Sequence, residues 1–137
     1  MNINSLIEFI LNRQRSDSFC VSALSKDPSL DKAVEEVCLK LKNSPNADIA
    51  IVLISSNFAS DYPRLLPLLQ RKLKYKILIG SAIGGVIGLS KNNSFEENLN
   101  LPSLSITLIK LPNSNIIPFH IPENINIDMD NPCKVWK

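Results

Sequence analysis

The sequence predicts an α/β fold with a mixed β-sheet. Three observations lead to this class: apolar strand-like runs alternate with amphipathic helical segments, one run is apolar without alternation, and a late run alternates apolar and polar residues. They predict a parallel βαβ core, an antiparallel C-terminal hairpin and helices packed on the sheet. We expect a single domain over residues 1–121 and a C-terminal tail of uncertain order over residues 122–137.

The first fifteen residues have the pattern of an amphipathic helix. Their apolar side chains recur at helical spacing, and Ser5 with Glu8 forms a capping box. A membrane-surface helix is the less favoured interpretation, because Arg13 and Arg15 are few cations for that role. We therefore expect this helix to cover the core of its own domain.

A strand and a second helix are predicted next. FCVSALS, residues 19–25, is a short β-prone run. Asp27 then has the position of an N-cap and Pro28 that of the first helical residue. The helix that follows carries an apolar stripe, and we expect Cys38 on that stripe to be a packed and inert thiol.

A βαβ unit follows this helix. Residues 49–54 are apolar without alternation, which predicts a central strand covered on both faces. Residues 62–73 predict a helix in which Pro67 either causes a kink or delays the start. Residues 77–79 predict the second strand. Parallel strands end at the same edge of the sheet, where ligands of open α/β sheets bind.

All four glycines of the chain lie in ILIGSAIGGVIG, residues 77–88. The stretch is not a P-loop, because Val86 and Ile87 replace the lysine and the hydroxyl residue. It is not a dinucleotide fingerprint, because Ile83 replaces the first glycine. We therefore expect a loop whose glycines have positive φ angles or allow another backbone or a small ligand to approach closely.

The βαβ geometry brings two sets of small and polar residues to one sheet edge. The candidate ligand-binding residues, with the single histidine, are Ser55, Ser56, Asn57, Gly80, Ser81, Gly84, Gly85 and His120. Ser55 and Asn57 have an equally good explanation as turn or cap residues of the following helix. His120 is either a donor to a bound carboxylate or a surface histidine.

The C-terminal part predicts a loop and a hairpin. SKNNSFEENLN, residues 90–100, has the composition of a polar, mobile loop. LSITLIK, residues 104–110, alternates and predicts one buried face. IIPFHI, residues 116–121, predicts its antiparallel partner across a turn at LPNSN.

Composition argues against several function classes. A net charge of +2 gives no strong field for nucleic acid or anionic lipid, so neither is an expected partner. One histidine and no triad partner leave no basis for a metal cofactor or for catalysis, so we expect neither a cofactor nor an enzyme. Three distant cysteines form no disulfide framework, and no run of about 20 apolar residues is present, which favours the cytoplasm.

Several stretches, in order, resemble the N-terminal part of the FIST domain, a sensory module of signal-transduction proteins that also occurs in some F-box proteins. The most specific is GSAIGGVIG, residues 80–88, which is similar to the family's motif Gly-Cys-Thr-Ala-Gly-Gly-Val-Ile-Gly; SALS and PFHI are weaker supports. Ser81, Ala82 and Ile83 stand where the family tends to have Cys, Thr and Ala. The resemblance covers about Phe19 to Ile121.

The resemblance implies a non-catalytic, small-ligand-binding sensory domain of intracellular signal transduction, with amino acids or related metabolites as ligands. Because the family module is longer, the chain resembles a shortened stand-alone form. The alternative hypothesis is a protein-interaction module, or a truncated remnant, that acts through a partner chain. A shortened sheet would leave an edge or an apolar face that a partner or a second copy must cover.

Overall fold

The computed structural model describes residues 18–89 and 94–120. The strands are β1 (Phe19–Ser25), β2 (Ala47–Ser55), β3 (Tyr75–Ile83), β4 (Gly85–Leu89), β5 (Phe95–Leu99) and β6 (Leu104–Lys110). The helices are α1 (Leu30–Leu41), α2 (Tyr62–Lys72) and a 3-10 helix (Ser56–Asp61) that leads into α2. The predicted N-terminal helix and the tail after residue 121 lie outside the described residues.

The larger sheet has four strands in the order β1-β6-β2-β3. β2 and β3 are parallel, whereas β6 is antiparallel to both β1 and β2. β4 and β5 form a separate antiparallel hairpin. The predicted fold class is therefore confirmed, and β2 has the central position that its apolar run predicted. None of the helices in the described part of the chain has the length and hydropathy needed to cross a bilayer.

The antiparallel hairpin is formed by other residues than the sequence predicted. Residues 116–120 form no strand, and Phe119 is 84% exposed. The reason is that β6 already has a strand on each side, and Pro118 lacks a backbone N–H for a ladder. The predicted polar loop at residues 90–100 instead contains β5, which pairs with β4 from Gly85 to Leu89.

α1 begins later than the sequence predicted, whereas α2 begins at the predicted residue. The N-cap of α1 is Ser29 rather than Asp27, and the Ala33 N–H donates to the Ser29 carbonyl at 2.9 Å. Asp27 Oδ1 accepts from the Ser29 N–H at 2.8 Å, so Asp27 forms a turn before the helix. In α2, Pro63 lies in the first turn and Pro67 lies inside the helix. α2 begins at Tyr62, where the sequence predicted it, so Pro67 does not delay its start; a 3-10 helix precedes it.

The core lies between the two helices and one face of the sheet. The buried side chains of this layer come from alternate positions of the strands and from the stripe of α1. From the sheet they include Ala23, Ala50, Val52, Ile54, Leu104, Ile106 and Leu108; from α1 they are Leu30, Ala33, Val34, Val37, Cys38 and Leu41. The alternation predicted for β6 is therefore confirmed on this face.

The hairpin lies on the opposite face of the sheet and covers only part of it. A Cβ added at Gly88 would lie 3.0 Å from Leu24 Cβ and 3.4 Å from Ser105 Oγ, so β4 approaches β1 and β6 closely. On the same face of β2, Ile49 and Ile51 are only partly buried. The described hairpin covers this face of β2 only in part, so complete cover on both faces stays a prediction.

Candidate ligand-binding pocket

A pocket of about 190 Å³ lies between α2 and β3, on the helix side of the sheet. Its walls come from β2, β3 and the inward side of α2. The lining residues are Val52, Ile54, Tyr62, Leu65, Leu66, Leu69, Leu78, Gly80, Ser81 and Ala82. The pocket therefore lies near the C-terminal end of β3, where the glycine-rich stretch begins.

Gly80 opens the floor of this pocket. It is the register partner of Val52, whose side chain belongs to the core. A Cβ added at Gly80 would meet the Val52 carbonyl oxygen at 3.4 Å and Val52 Cβ at 3.7 Å, which are ordinary contact distances. β3 could therefore hold a residue with a side chain at position 80. Because glycine occupies this position, the space that a side chain would fill belongs to the pocket.

Two hydroxyl groups border an otherwise apolar pocket. Tyr62 donates through its hydroxyl to the Ser55 carbonyl at 3.4 Å, and Ser81 Oγ donates to the Ala82 carbonyl at 3.3 Å. Both oxygens keep lone pairs that can accept a further hydrogen bond. Among the described residues, no charged side chain lines the pocket. The site suits a ligand whose apolar part enters the pocket and whose polar part stays at the solvent-exposed mouth.

Gly80 and Ser81 are the two predicted site residues that line the pocket. The parallel register places Leu53 beside Ser81 and Ser55 beside Ile83. The C-terminal ends of the two strands therefore meet at one sheet edge, as the βαβ pattern predicted.

Ser55, Ser56 and Asn57 lie at that edge but do not line the pocket. Ser55 is only 1% exposed, and its Oγ donates to Asn57 Oδ1 at 2.6 Å while accepting from the Asn57 N–H at 3.1 Å. These bonds cap the 3-10 helix, which matches the alternative that the sequence left open. Ser56 and Asn57 are exposed.

The glycine-rich stretch is extended rather than looped. None of the four glycines has a positive φ, so the predicted loop and the first of its two explanations are wrong. The second explanation, close approach of another segment, applies at Gly88, where an added Cβ would lie 3.0 Å from Leu24 Cβ. β3 continues to Ile83, Gly84 forms a bend, and Gly85 begins β4 opposite Leu99. β-Branched residues between the glycines favour this extended backbone. Gly84 is outside the pocket, and its carbonyl accepts from the Asn100 N–H at 3.0 Å.

His120 is exposed, in the segment that follows β6. The end of β6 lies at the opposite end of β2 from Ser55, because Leu111 N donates to Asp48 Oδ2 at 2.9 Å. No hydrogen bond or ion pair joins His120 to another residue within 18–89 and 94–120. The structure therefore does not bring His120 to the pocket through any contact.

Protein-family models, curated proteins and solved structures give no match to this chain. The resemblance to the FIST domain therefore stays a prediction from the residues that carry it. In the described ranges, no group of His, Cys, Asp and Glu side chains is placed to hold a metal ion.

The two described cysteines have different surroundings. Cys38 is buried on α1, as its place on the apolar stripe predicted. Burial raises the pKa of the Cys38 thiol to about 11, an effect that nearby Lys72 partly opposes. Such a thiol is a poor nucleophile. Cys20 is exposed on β1.

Asp48 forms an ionic cluster that the sequence did not predict. Its Oδ1 lies 2.7 Å from Lys76 Nζ and 3.2 Å from Lys110 Nζ. The hydrogen bond from Lys76, with that from the Leu111 N–H, holds the pKa of Asp48 well below its usual range. The cluster joins the start of β2 and β3 to the end of β6. It therefore lies at the other end of the sheet from the pocket mouth and has a structural role.

The leucines of α2 are the pocket residues that the sequence pattern did not mark as functional. Leu65, Leu66 and Leu69 recur at helical spacing, which indicates an apolar face and not whether that face packs fully. Only Leu69 of α2 is fully buried. In the sequence, only Gly80 indicates a space beneath these leucines, because it interrupts the apolar residues of β3.

Proposed function

We propose that this domain binds a small molecule whose apolar group enters the pocket between α2 and β3, as the sensory part of an intracellular signalling system. Amino acids with a branched aliphatic or aromatic side chain, or related metabolites, are the proposed ligands. The observation that carries the proposal is the apolar pocket of about 190 Å³ with the side-chain-free Gly80 at its floor.

The size of the pocket limits the ligand. An apolar cavity of about 150 Å³ accommodates benzene, whereas pockets for larger ligands begin near 300 Å³. The pocket of about 190 Å³ therefore matches the volume of a leucine or phenylalanine side chain.

The polarity of the pocket predicts how the ligand lies and how tightly it binds. Because no charged side chain of the described residues lines the pocket, the ammonium and carboxylate groups of an amino acid stay in water near Ser81. Burial of a leucine-sized side chain contributes about 1.5–3 kcal/mol, and a 1 mM dissociation constant corresponds to about 4 kcal/mol. We expect dissociation constants in the millimolar range or weaker.

The test is a titration of ¹⁵N-labelled protein followed by NMR. Leucine and phenylalanine should shift the amide signals of Leu78, Gly80 and Ala82 in a saturable manner. Glutamate and alanine, which lack a large apolar group, should leave these signals unchanged. Equal small shifts with all four amino acids, or none, would contradict the proposal.

Gly80→Val sharpens this test because it fills the floor of the pocket with a residue that suits a strand. The first added carbon has ordinary contacts, so we expect the fold to persist and the ligand-dependent shifts to disappear. Gly84→Val is the matched control, since a Cβ at Gly84 meets nothing within 4 Å and lies outside the pocket.

The proposal assigns no catalysis to the pocket. Its two hydroxyls donate to backbone carbonyls, and no described base lies beside them to activate either oxygen. A cytoplasmic location belongs to the proposal because Cys20 and Cys38 are free thiols, which persist in reducing compartments.

A second candidate function, a protein-interaction module, is favoured by one separate observation. Ile79 is 55% exposed on a strand at the edge of the described sheet.

A further inference from the structure

The outer edge of β3 is open in the described part of the chain. β3 pairs with β2 on one side, and no strand within residues 18–89 and 94–120 pairs with the other side. Such an edge presents backbone N–H and C=O groups that can pair with another strand. With nine residues, β3 offers a long edge.

From Ile77 onward, β3 lacks the charged residues and prolines that usually prevent edge pairing. Charged residues, prolines and bulges are the common protection. Between Ile77 and Ile83 the strand has neither a charged residue nor a proline, and Ile79 in its middle is 55% exposed. Lys76 is the second residue of β3, and Lys74 precedes the strand.

The strand is complementary to itself in one particular register. A two-fold axis perpendicular to the sheet keeps the helices of both copies on the same face, so residues opposite each other must point to the same face. The axis must then lie midway between the two copies of one residue, which face each other across it. Only Ile79, the midpoint of Tyr75–Ile83, allows all nine residues to pair.

This register also places a large side chain opposite Gly80, the one glycine of β3. With Ile79 on the axis, Leu78 of each copy lies opposite Gly80 of the other, on the face where the pocket opens. A large cross-strand neighbour is a recognised way to cover a glycine in a sheet edge. The register with the axis at Ile79 therefore gives both the longest pairing and the contact of Leu78 with Gly80.

The charges of β3 select the antiparallel orientation. About the Ile79 axis, Lys76 faces Ala82 of the second copy. The two Lys76 residues are then six positions, or about 20 Å, apart along the strands. A parallel arrangement would place the lysines of both copies side by side, which is unfavourable.

We propose that this chain forms a homodimer through antiparallel pairing of β3 with β3 of a second copy, with the two-fold axis at Ile79. The pairing requires no ligand and goes beyond the function proposed above. It gives the interaction surface a defined partner, a second copy, and a defined register.

Cysteine trapping tests the register directly. In a background with Cys20→Ser and Cys133→Ser, Ile79→Cys places two thiols on the axis, where opposite Cβ atoms are about 4.5–5.5 Å apart. Mild oxidation should convert this variant to a disulfide-linked dimer. In the matched variant Ile77→Cys, the two thiols are about 13 Å apart along the strands, too far for a disulfide, so no covalent dimer should form.

Light scattering after size exclusion tests the assembly itself. The wild-type chain of 15.2 kDa should have a mass of about 30 kDa, twice that value. Ile79→Lys should be monomeric with an unchanged circular dichroism spectrum, since two lysines would meet on the axis. Ile87→Lys, at a position 67% exposed on β4, is the control and should remain dimeric.

Three outcomes would overturn the proposal: a monomeric wild-type chain, as expected if another segment of the chain occupies the edge; a dimer that persists in Ile79→Lys; or more efficient trapping at position 77 than at 79. The ligand is tested separately, on a variant in which Leu78 of a second copy no longer lies opposite Gly80. The NMR titration can be repeated on Ile79→Lys, because Ile79 does not line the pocket.

Discussion

β1 and β3 are the two edges of the four-stranded sheet, and their surroundings differ. α1 lies over β1, where Lys40 Nζ donates to the Leu24 carbonyl at 2.7 Å and Ser25 Oγ donates to Glu36 Oε2 at 2.5 Å. Side chains of a helix thus cover the β1 side. No comparable side-chain bond covers the outer edge of β3 among the described residues.

The same difference exists on the opposite face of the sheet. Gly88 of β4 contacts Leu24, and Lys26 forms an ion pair with Glu96 of β5. The hairpin therefore covers the β1 side, while Ile79 on β3 is 55% exposed. Well-packed elements carry the stability of a protein, and binding surfaces come from less completely packed ones. We infer that the β1 side stabilises the fold and that the β3 side is available for binding.

The largest expected difference concerns the helices that cover the two sides. Leu41 of α1 is 3% exposed, and Leu41→Ala should lower the free energy of unfolding by about 2–5 kcal/mol through loss of buried contacts. Leu66 of α2 is 45% exposed, and Leu66→Ala should cost less than about 1 kcal/mol. Urea denaturation measures both; equal losses would contradict the comparison.

A smaller difference is expected between two glycines. Gly88→Ala places a methyl group 3.0 Å from Leu24 Cβ, and such overpacking should cost about 1–3 kcal/mol. Gly84→Ala meets nothing within 4 Å at a φ that is not positive, so it should be neutral or stabilise by up to about 1 kcal/mol. Thermal unfolding of both variants checks this; a harmless Gly88→Ala would mean that the hairpin does not press on β1.

Removal of one hydrogen bond at the β1 side should have a still smaller effect. Lys40→Met keeps most of the aliphatic chain but leaves the Leu24 carbonyl without its donor, at a cost of about 0.5–1.5 kcal/mol. Lys32→Met is the control, because Lys32 is exposed on the same helix, and it should stay within about 0.5 kcal/mol of wild type. The proton-exchange rates of β1 amides should rise only in Lys40→Met.

The stability of the fold should depend on pH through Asp48. Because the folded-state pKa of Asp48 is lowered, its stabilising effect is complete above the unfolded-state pKa of about 3.9 and is lost as the pH falls below that value. Asp48→Asn should therefore have a flatter stability profile than wild type below about pH 4. Parallel slopes in acid denaturation would mean that Asp48 does not anchor β3 through Lys76.

The strands and helices with strong local patterns were predictable. Phe19–Ser25 and Leu104–Lys110 have the predicted bounds, and residues 49–54 lie in the central strand. Residues 104–110 alternate at the strand period and residues 49–54 form an unbroken apolar run, and such local signals need no knowledge of the rest of the chain. The predicted partner of β6 was wrong because a strand with one apolar face does not reveal which strands flank it.

The candidate pocket was predictable in part. Gly80 and Ser81 were found because parallel strands end at one sheet edge. Leu65, Leu66 and Leu69 were missed because their spacing describes a helix face and not the gap beneath it. The cap formed by Ser55 and Asn57 was one of two alternatives, and only the side-chain positions distinguished them.

The sequence by itself determined the α/β class, the parallel pair β2 and β3, and the alternation that buries one side of β6, because each depends on residues near one another along the chain. Only the tertiary structure decided that β6 lies between β1 and β2, that the glycines are extended, and that α2 leaves a pocket over Gly80. These features depend on how distant segments pack, and local periodicity does not specify the distance between packed surfaces.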